Sequence, residues 1–224
     1  MSVVMEGARS PLFPLWPAPA RASTRLRVGL DQVGAFILLV ALSPLMALIA
    51  VLIWRTDGAP IFFEHYRVGL HGRLFRCMKF RSMRRDAQQR LAELLRDDEA
   101  ARLEWKKHHK LANDPRVTPI GRFLRSTSLD ELPQLFNVLR GEMALVGPRP
   151  ITVAELTFYG TGRWHYLSVP PGLTGLWQVS GRSNTTYSHR VDLDCSYVEQ
   201  RSLLLDLRIL FRTIKVVAMR EGAS

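Results

Sequence analysis

The chain has 224 residues, 47% of them hydrophobic, and a formal net charge of +11, which suits one globular core with a segment to spare. Its two cysteines, Cys77 and Cys195, have no framework spacing and form no CxxC, which excludes a disulfide scaffold and reads as structural thiols of a reducing compartment. The basic excess fits nucleic acid, anionic lipid or a phosphorylated substrate, and with no recognition motif beside the charge the nucleic-acid reading is poor.

Residues 1–27 read as a flexible leader, with Pro11, Pro14, Pro17 and Pro19 and no periodicity. Val33 to Trp54 is then a run of 22 residues without a charge. About 20 apolar residues cross a hydrocarbon core about 30 Å thick, so the run is a membrane segment by length. It is too long and too late for a cleaved signal, and Arg55-Thr56-Asp57 follows it rather than a small-residue cleavage site. Arg21, Arg25 and Arg27 lie before it, and Arg55 with a strongly basic domain lies after it, so the positive-inside rule draws both ends to the cytoplasm. A straight span cannot satisfy both. Ser43-Pro44 sits at the centre, where proline removes a backbone bond and leaves a carbonyl that a serine hydroxyl or water could serve. Two halves of 11 residues would each be roughly 16 Å long, enough to enter half the bilayer and return. The expectation is a re-entrant, monotopic helix-break-helix hairpin over residues 28–56, and an ordinary kinked span is the competing reading.

Ile61 to Phe63 and Leu74 to Phe80 flank Gly69-Leu70-His71-Gly72 and predict a β-hairpin with a glycine turn. Its second arm ends in Lys79-Phe80-Arg81-Ser82-Met83, whose alternating cations are either a solvated face or phosphate contacts. Arg84 to Lys110 reads as a charged surface or interface helix, its apolar stripe interrupted at Asp98. After a break at Asn113-Asp114-Pro115, Thr118-Pro119 offers an N-cap with proline at the first helical position, opening a short amphipathic helix suited to a membrane surface.

Asp130-Glu131 follows. Ser128-Leu129-Asp130-Glu131 has the form of a capping box, and Leu132, Leu135, Phe136 and Leu139 recur at helical spacing up to Gly141. With Ser128 as the cap, Pro133 would lack a needed donor, so the expected start is near Asp130. There the helix terminus would hold the Asp130 carboxylate ionised and leave Glu131 free for a cation. Further on, Pro170 to Arg182 is too rich in glycine and proline for a regular element. It is either a tight structural loop or a ligand loop in which Trp177 stacks and Arg182 supplies charge. Asp192-Leu193-Asp194 is a D-x-D, a pattern with which many nucleotide-sugar glycosyltransferases hold a divalent cation. Leu203 to Met219 reads as a helix for packing or membrane-surface docking.

Taken in order, these segments resemble one family, the monotopic polyprenol-phosphate phosphoglycosyl transferases, or bacterial initiating sugar transferases. The likeness rests on Ser43-Pro44, Lys79 to Met83, Leu129 to Leu135, Asn137 to Gly141, Leu145 to Pro150, and Pro171 to Gly175 continuing to Arg182. It covers the chain from about residue 30 onward. The resemblance implies an α+β, mostly helical monotopic membrane protein with a small β-hairpin and amphipathic surface helices. Residues 57–224 would be its catalytic domain, on the cytoplasmic face of the bacterial inner membrane. It also implies a two-step reaction, with Asp130 attacking the β-phosphate of a UDP-sugar, releasing UMP, and polyprenol phosphate then taking the phosphosugar. Glu131 matches the family's magnesium ligand, so Mg²⁺ is the implied cofactor. Arg125 and Arg149 fall at its phosphate-binding positions, Lys79 also carries over, and Arg81, Trp177, Gln178 and Arg182 are further candidate substrate contacts. Ala144 stands where the family pattern has serine, and the multi-span N-terminal region of larger members is not present in the sequence. The expected glycan is an exopolysaccharide or other surface polymer and the expected sugar galactose or glucose, with an N-acetylated sugar still open; a homodimer is compatible. Two other readings stand beside it: a metal-dependent glycosyltransferase that uses Asp192 and Asp194 and releases UDP, and a non-catalytic basic module anchored to membrane lipid.

Overall fold

A computed structural model describes residues 21–108, 111, 114–181 and 186–219. The four leader prolines, Asn113 and Arg182 lie outside these residues. Helix α1 runs from Arg21 to Asp57 with no unwound residue. Two expectations change with it: residues 21–27 are helical, and Ser43-Pro44 does not break the helix into two halves. The reason is local. Pro44 has no N–H for the carbonyl of Val40, but the Ser43 hydroxyl donates to that same oxygen at 2.8 Å, so no acceptor is orphaned and the helix continues.

One side of α1 is packed, with Ala35, Met46, Ile49 and Ile53 buried, while Val33, Phe36, Ile37, Val40, Leu48 and Trp54 stay exposed. Arg25–Asp57 is long and apolar enough to cross a membrane. An uncovered apolar face of that length is what a lipid-facing helix presents, and what a water-facing one avoids.

The hairpin forms as expected. Strands β1 (Phe62–Val68) and β2 (Leu74–Phe80) pair antiparallel, with Phe62 opposite Phe80 and Val68 opposite Leu74. Its tight turn holds His71 and Gly72 at positive φ, 56° and 76°. The charged stretch after it is two helices, α2 (Ala87–Asp97) and α3 (Glu99–His108). Asp98, which interrupts the apolar stripe, divides them because its carboxylate accepts from the Ala101 N–H at 2.9 Å and caps α3. Helix α4 (Pro119–Ser126) starts where the sequence places it, with Thr118 Oγ1 accepting from Gly121 N–H at 2.9 Å.

Helix α5 occupies Gln134–Leu139, and Gly141 closes it at φ 75°. Strand β3 (Ala144–Val146) then pairs in parallel with β4 (Gly172–Thr174). The segment that looked irregular therefore contains a strand. Its glycines hide it: a Cβ on Gly172 would lie 2.0 Å from the Gly147 nitrogen, so the close backbone approach itself demands the residue that masks the β pattern. Short helices α6 (Val153–Leu156) and α7 (Arg163–Leu167) lead to α8 (Tyr187–Glu199) and α9 (Leu203–Met219). The result is mostly helical with two small sheets.

Helix α1 is the spine of the packing. Ala35 meets Phe75, Leu135, Val138 and Met143 in one cluster, and Met46, Ile49 and Ile53 meet Phe80 and Leu124 in another. Fully buried Asn137 ties α5 to β2: its Oδ1 accepts from Met78 N–H at 3.0 Å, and its Nδ2 donates to the Arg76 carbonyl at 2.7 Å and to Glu142 at 2.6 Å. That bond pattern sets the end of β2, and hence Lys79, against the turn that precedes α5.

Gly121 is the tightest point between α4 and the end of the hairpin, where a Cβ would sit 1.9 Å from the Ser82 carbonyl oxygen. Gly121→Ala is expected to lose about 1–3 kcal/mol of stability by overpacking. Gly29→Ala, with nothing within 4 Å, is expected to be neutral or slightly stabilising in thermal melts of the detergent-solubilised protein.

Candidate active site

Pro133 decides the local shape of the acidic pair. It cannot donate to an i−4 carbonyl, so α5 begins only after it, with Pro133 itself in the cap position. The preceding residues make a tight 3₁₀ turn over Leu129–Glu131, closed by Glu131 N–H to the Ser128 carbonyl at 3.2 Å and Leu132 N–H to Leu129 at 3.3 Å. Neither start weighed in the sequence survives. Ser128 makes no side-chain cap bond and sits in the left-handed region at φ 56°, and Asp130 lies in the 3₁₀ turn, ahead of the Pro133 cap of α5. Ser128 in the left-handed region is a point of local backbone strain just before the acidic pair.

The turn buries Asp130 and points Glu131 at two cations. Glu131 Oε1 accepts from Lys79 Nζ at 2.7 Å and from Arg149 Nη2 at 3.1 Å, and Lys79 Nζ also lies 3.8 Å from Asp130 Oδ2. Burial raises the Glu131 carboxyl, but Arg149 and Lys79 outweigh it and hold the group well below the usual carboxylate range. Asp130 goes the other way. Burial pushes it up, and the neighbouring Glu131 charge adds to that, against the pull of Lys79, Arg125 and Arg149. The pair is thus split into a firmly ionised anchor and a desolvated, more basic carboxylate. The more basic carboxylate keeps its anion through the nearby cations, against burial, and not through a helix end as the sequence suggested.

Glu131 is also less free than expected, since one of its oxygens is held twice. Its Oε2 makes no hydrogen bond among the described residues. Mg²⁺ takes one or two carboxylates and completes its shell with phosphate oxygens and water, so this oxygen beside a phosphate-sized cluster of cations is a compatible donor. Among the described residues, no group of three or more His, Cys, Asp and Glu gathers that could hold a metal ion, here or elsewhere.

The remaining candidates divide. Arg125 acts on Asp130 through its charge while its Nε donates to Ser82 Oγ at 2.9 Å. Arg81 does not join them: its Nη2 donates to the Asp57 carbonyl and carboxylate and to the Gly58 carbonyl at 2.8–3.1 Å, so it clamps the end of α1. Trp177 lies near Arg149, 5.8 Å from ring centroid to guanidinium, with Arg190 at 4.7 Å. Buried Gln178 donates to the Leu173 carbonyl at 3.2 Å and braces the loop. Asp192 and Asp194 do not form a cation clasp. Both are on α8, where residues two apart point to different sides, and Asp192 is exposed while Asp194 is buried against the Tyr159 hydroxyl at 2.7 Å. Burial, opposed by that hydroxyl and by Arg190, pushes the Asp194 carboxyl up to about 6.

Sequence reasoning missed part of the cleft wall: Arg67, Cys77, Gln134 and Leu173 line it together with Lys79, Glu131 and Arg149. Strand alternation could have found Cys77, two residues before Lys79 on β2, and the hairpin register could have found Arg67. Gln134 was in view within the acidic motif, but its charged neighbours drew the attention.

The family model described as bacterial sugar transferase matches residues 22–220. An undecaprenyl-phosphate galactose phosphotransferase of Salmonella typhimurium is 52% identical over 203 residues, 91% of this chain and 42% of that protein. The exopolysaccharide production protein ExoY of Sinorhizobium fredii is 47% identical over 193 residues, 86% of this chain and 85% of the relative. A UDP-glucose:undecaprenyl-phosphate glucose-1-phosphate transferase of Xanthomonas campestris is 41% identical over 201 residues, 86% of this chain and 39% of its own length. The chain therefore spans about two fifths of the first and third of these relatives and most of the second. With the match covering α1, the hairpin, the acidic turn and both small sheets, the chain belongs to the bacterial sugar transferase family.

Proposed function

We propose that the protein transfers a hexose 1-phosphate from a UDP-sugar to polyprenol phosphate, through a phosphosugar carried on Asp130, as a first membrane step of exopolysaccharide synthesis. The observation that carries this reading is the buried Asp130 beside a Glu131 clasped by Lys79 and Arg149. The names of the relatives support the substrate class, with galactose in one and glucose in another. An Asp130 oxygen attacks the β-phosphorus, the bond from that phosphorus to the bridging oxygen breaks, and UMP leaves with the electron pair. A phosphate oxygen of the lipid then attacks the same phosphorus, the bond to Asp130 breaks, and the carboxylate is restored. Splitting the transfer lets one small site serve a soluble nucleotide and a lipid in turn.

Lys79 and Arg149 change partners in this scheme, from Glu131 to the non-bridging oxygens of the donor, for which Arg149 presents a forked donor. Arg125 holds a further positive charge near Asp130. Magnesium bound at Glu131 would neutralise the diphosphate as charge moves to the leaving group.

Both ends of α1 support a monotopic membrane arrangement. Arg27 pairs with Asp206 of α9 at one end, and at the other Asp57 bonds Arg81 at 3.1 Å and the Arg85 N–H at 3.0 Å. A helix crossing the bilayer would carry its ends to opposite faces, where one peripheral domain could not hold both. In this proposal α1 enters one leaflet of the inner membrane without crossing, its exposed apolar face in lipid and the domain on the cytoplasmic surface.

Asp130→Asn, which keeps shape and removes the nucleophile, is expected to lower UMP release by about 10⁴-fold or more, by analogy with loss of other covalent nucleophiles. Retained UMP release would remove Asp130 from the role, and release of UDP in place of UMP would point to direct glycosyl transfer. Because the Asp130 pKa is raised and only the anion attacks, activity is expected to be lost as pH falls through a midpoint above the ordinary aspartate value of about 4. A pH profile of UMP release with saturating acceptor checks this. For topology, Arg25→Cys and Thr56→Cys are each expected to react with a membrane-impermeant maleimide in inverted vesicles and not in intact spheroplasts, relative to the unsubstituted protein. Labelling of the two from opposite sides would establish a span.

A further inference from the structure

Glu131, Lys79 and Arg149 line a small cleft whose other walls include Arg67, Cys77, Gln134 and Leu173. Its two parts differ in chemistry. Two cations and a carboxylate make the first part a place for phosphate and metal. The second is close to neutral. Arg67 is on this wall, but its Nη1 donates to Glu155 at 3.0 Å, so its charge is already balanced. Cys77 is a neutral thiol, pushed by burial up to about 11. Leu173 is apolar.

Gln134 is the residue this arrangement leaves unexplained. It is the first residue of α5, only 2% exposed, and its carboxamide makes no hydrogen bond among the described residues. The amide is not among the sealed, partnerless polar atoms of the protein, so water or a ligand can complete it. Its position on the cleft wall gives the amide an outlet. A carboxamide presents donors and an acceptor side by side, which matches neighbouring hydroxyls, each of which both gives and takes a hydrogen bond. It matches phosphate poorly, because its carbonyl oxygen would face another acceptor.

We propose that the neutral part of the cleft is the hexose subsite of the donor, and that Gln134 reads the sugar by hydrogen-bonding its hydroxyls. Arg67 then offers its remaining N–H groups to the same ring, and Cys77 and Leu173 meet its C–H surface. The proposal rests on the chain being a phosphosugar transferase and adds the residue by which sugars are told apart. A site built to hydrogen-bond a hydroxyl discriminates strongly against ligands that lack or misplace it.

The test is equilibrium binding of UDP-galactose, UDP-glucose and UDP to the detergent-solubilised full chain with Mg²⁺, in an Asp130→Asn background so that no donor is consumed. The background protein is expected to bind at least one UDP-hexose more tightly than UDP. Adding Gln134→Met, similar in length but unable to hydrogen-bond, is expected to remove about 10-fold of that excess and to leave UDP affinity unchanged. Gln134→Asn, which keeps the amide but withdraws it by one methylene, should show the same selective loss if the methionine variant melts early. Equal weakening of UDP and UDP-hexose would move Gln134 to the phosphate side and overturn the assignment, as would unchanged affinity for all three. Failure of the broader reading is recognised separately, by absence of UMP release from every UDP-sugar with Asp130 intact.

Discussion

Everything at the site turns on the sharing of one Glu131 oxygen by Lys79 and Arg149. Two adjacent carboxylates cannot both be ionised cheaply when withdrawn from water, and here the cations are distributed unequally between them. Glu131 receives both direct bonds. Asp130 receives burial, one cation at 3.8 Å and the field of the others. The inequality gives each acid a different chemistry without separating them in the chain.

The fold can be understood as the means of bringing those cations to the turn. Lys79 arrives on β2, which Asn137 pins to α5 through two backbone groups. Arg149 arrives just after β3, whose partner β4 approaches so closely that Gly147 and Gly172 tolerate no side chain at their contact. Asp130 is presented by the left-handed Ser128 and by the refusal of Pro133 to extend α5 backward. Helix α1 underlies all of this, packing on α5 and β2 along one half and on α4 along the other. In the proposed arrangement, a lipid-facing helix that is also the core of the domain would fix the height of the acidic turn relative to lipid. That coupling explains why its two ends carry ion pairs to the domain instead of reaching free into water.

Much of this was legible in the sequence because it obeyed local rules. The hairpin follows from strand pattern and a glycine turn, α4 from Thr118 and Pro119, and the long apolar helix from an uncharged run. The serine-proline pair was read correctly as an orphaned carbonyl with a hydroxyl beside it, yet the break it was expected to make is absent because the hydroxyl serves that carbonyl so well. Other features depended on distant residues. Nothing near Asp130 in the chain says that it is desolvated, or that Glu131 meets a cation 52 residues upstream and another 18 downstream. Strand β4 was obscured by the glycines its own packing requires, and Arg81, alternating with Lys79, turned out to bind the end of α1 because β2 stops at Phe80. The D-x-D dissolved once α8 placed its two acids on different sides. Gln134 was passed over because uncharged amides carry no sequence signature of a site until burial reveals that one lacks partners.

The central claim is that Asp130 carries the phosphosugar, and the most direct measurement is the mass of the protein after exposure to a UDP-hexose with Mg²⁺ and no lipid acceptor. Rapid acid quench, proteolysis and mass spectrometry should find one hexose phosphate on the peptide containing Asp130, and the adduct should disappear when polyprenol phosphate is added or when Asp130 is asparagine. Turnover to lipid-linked sugar with no adduct at any time point, or an adduct that persists in the asparagine variant, would contradict the account.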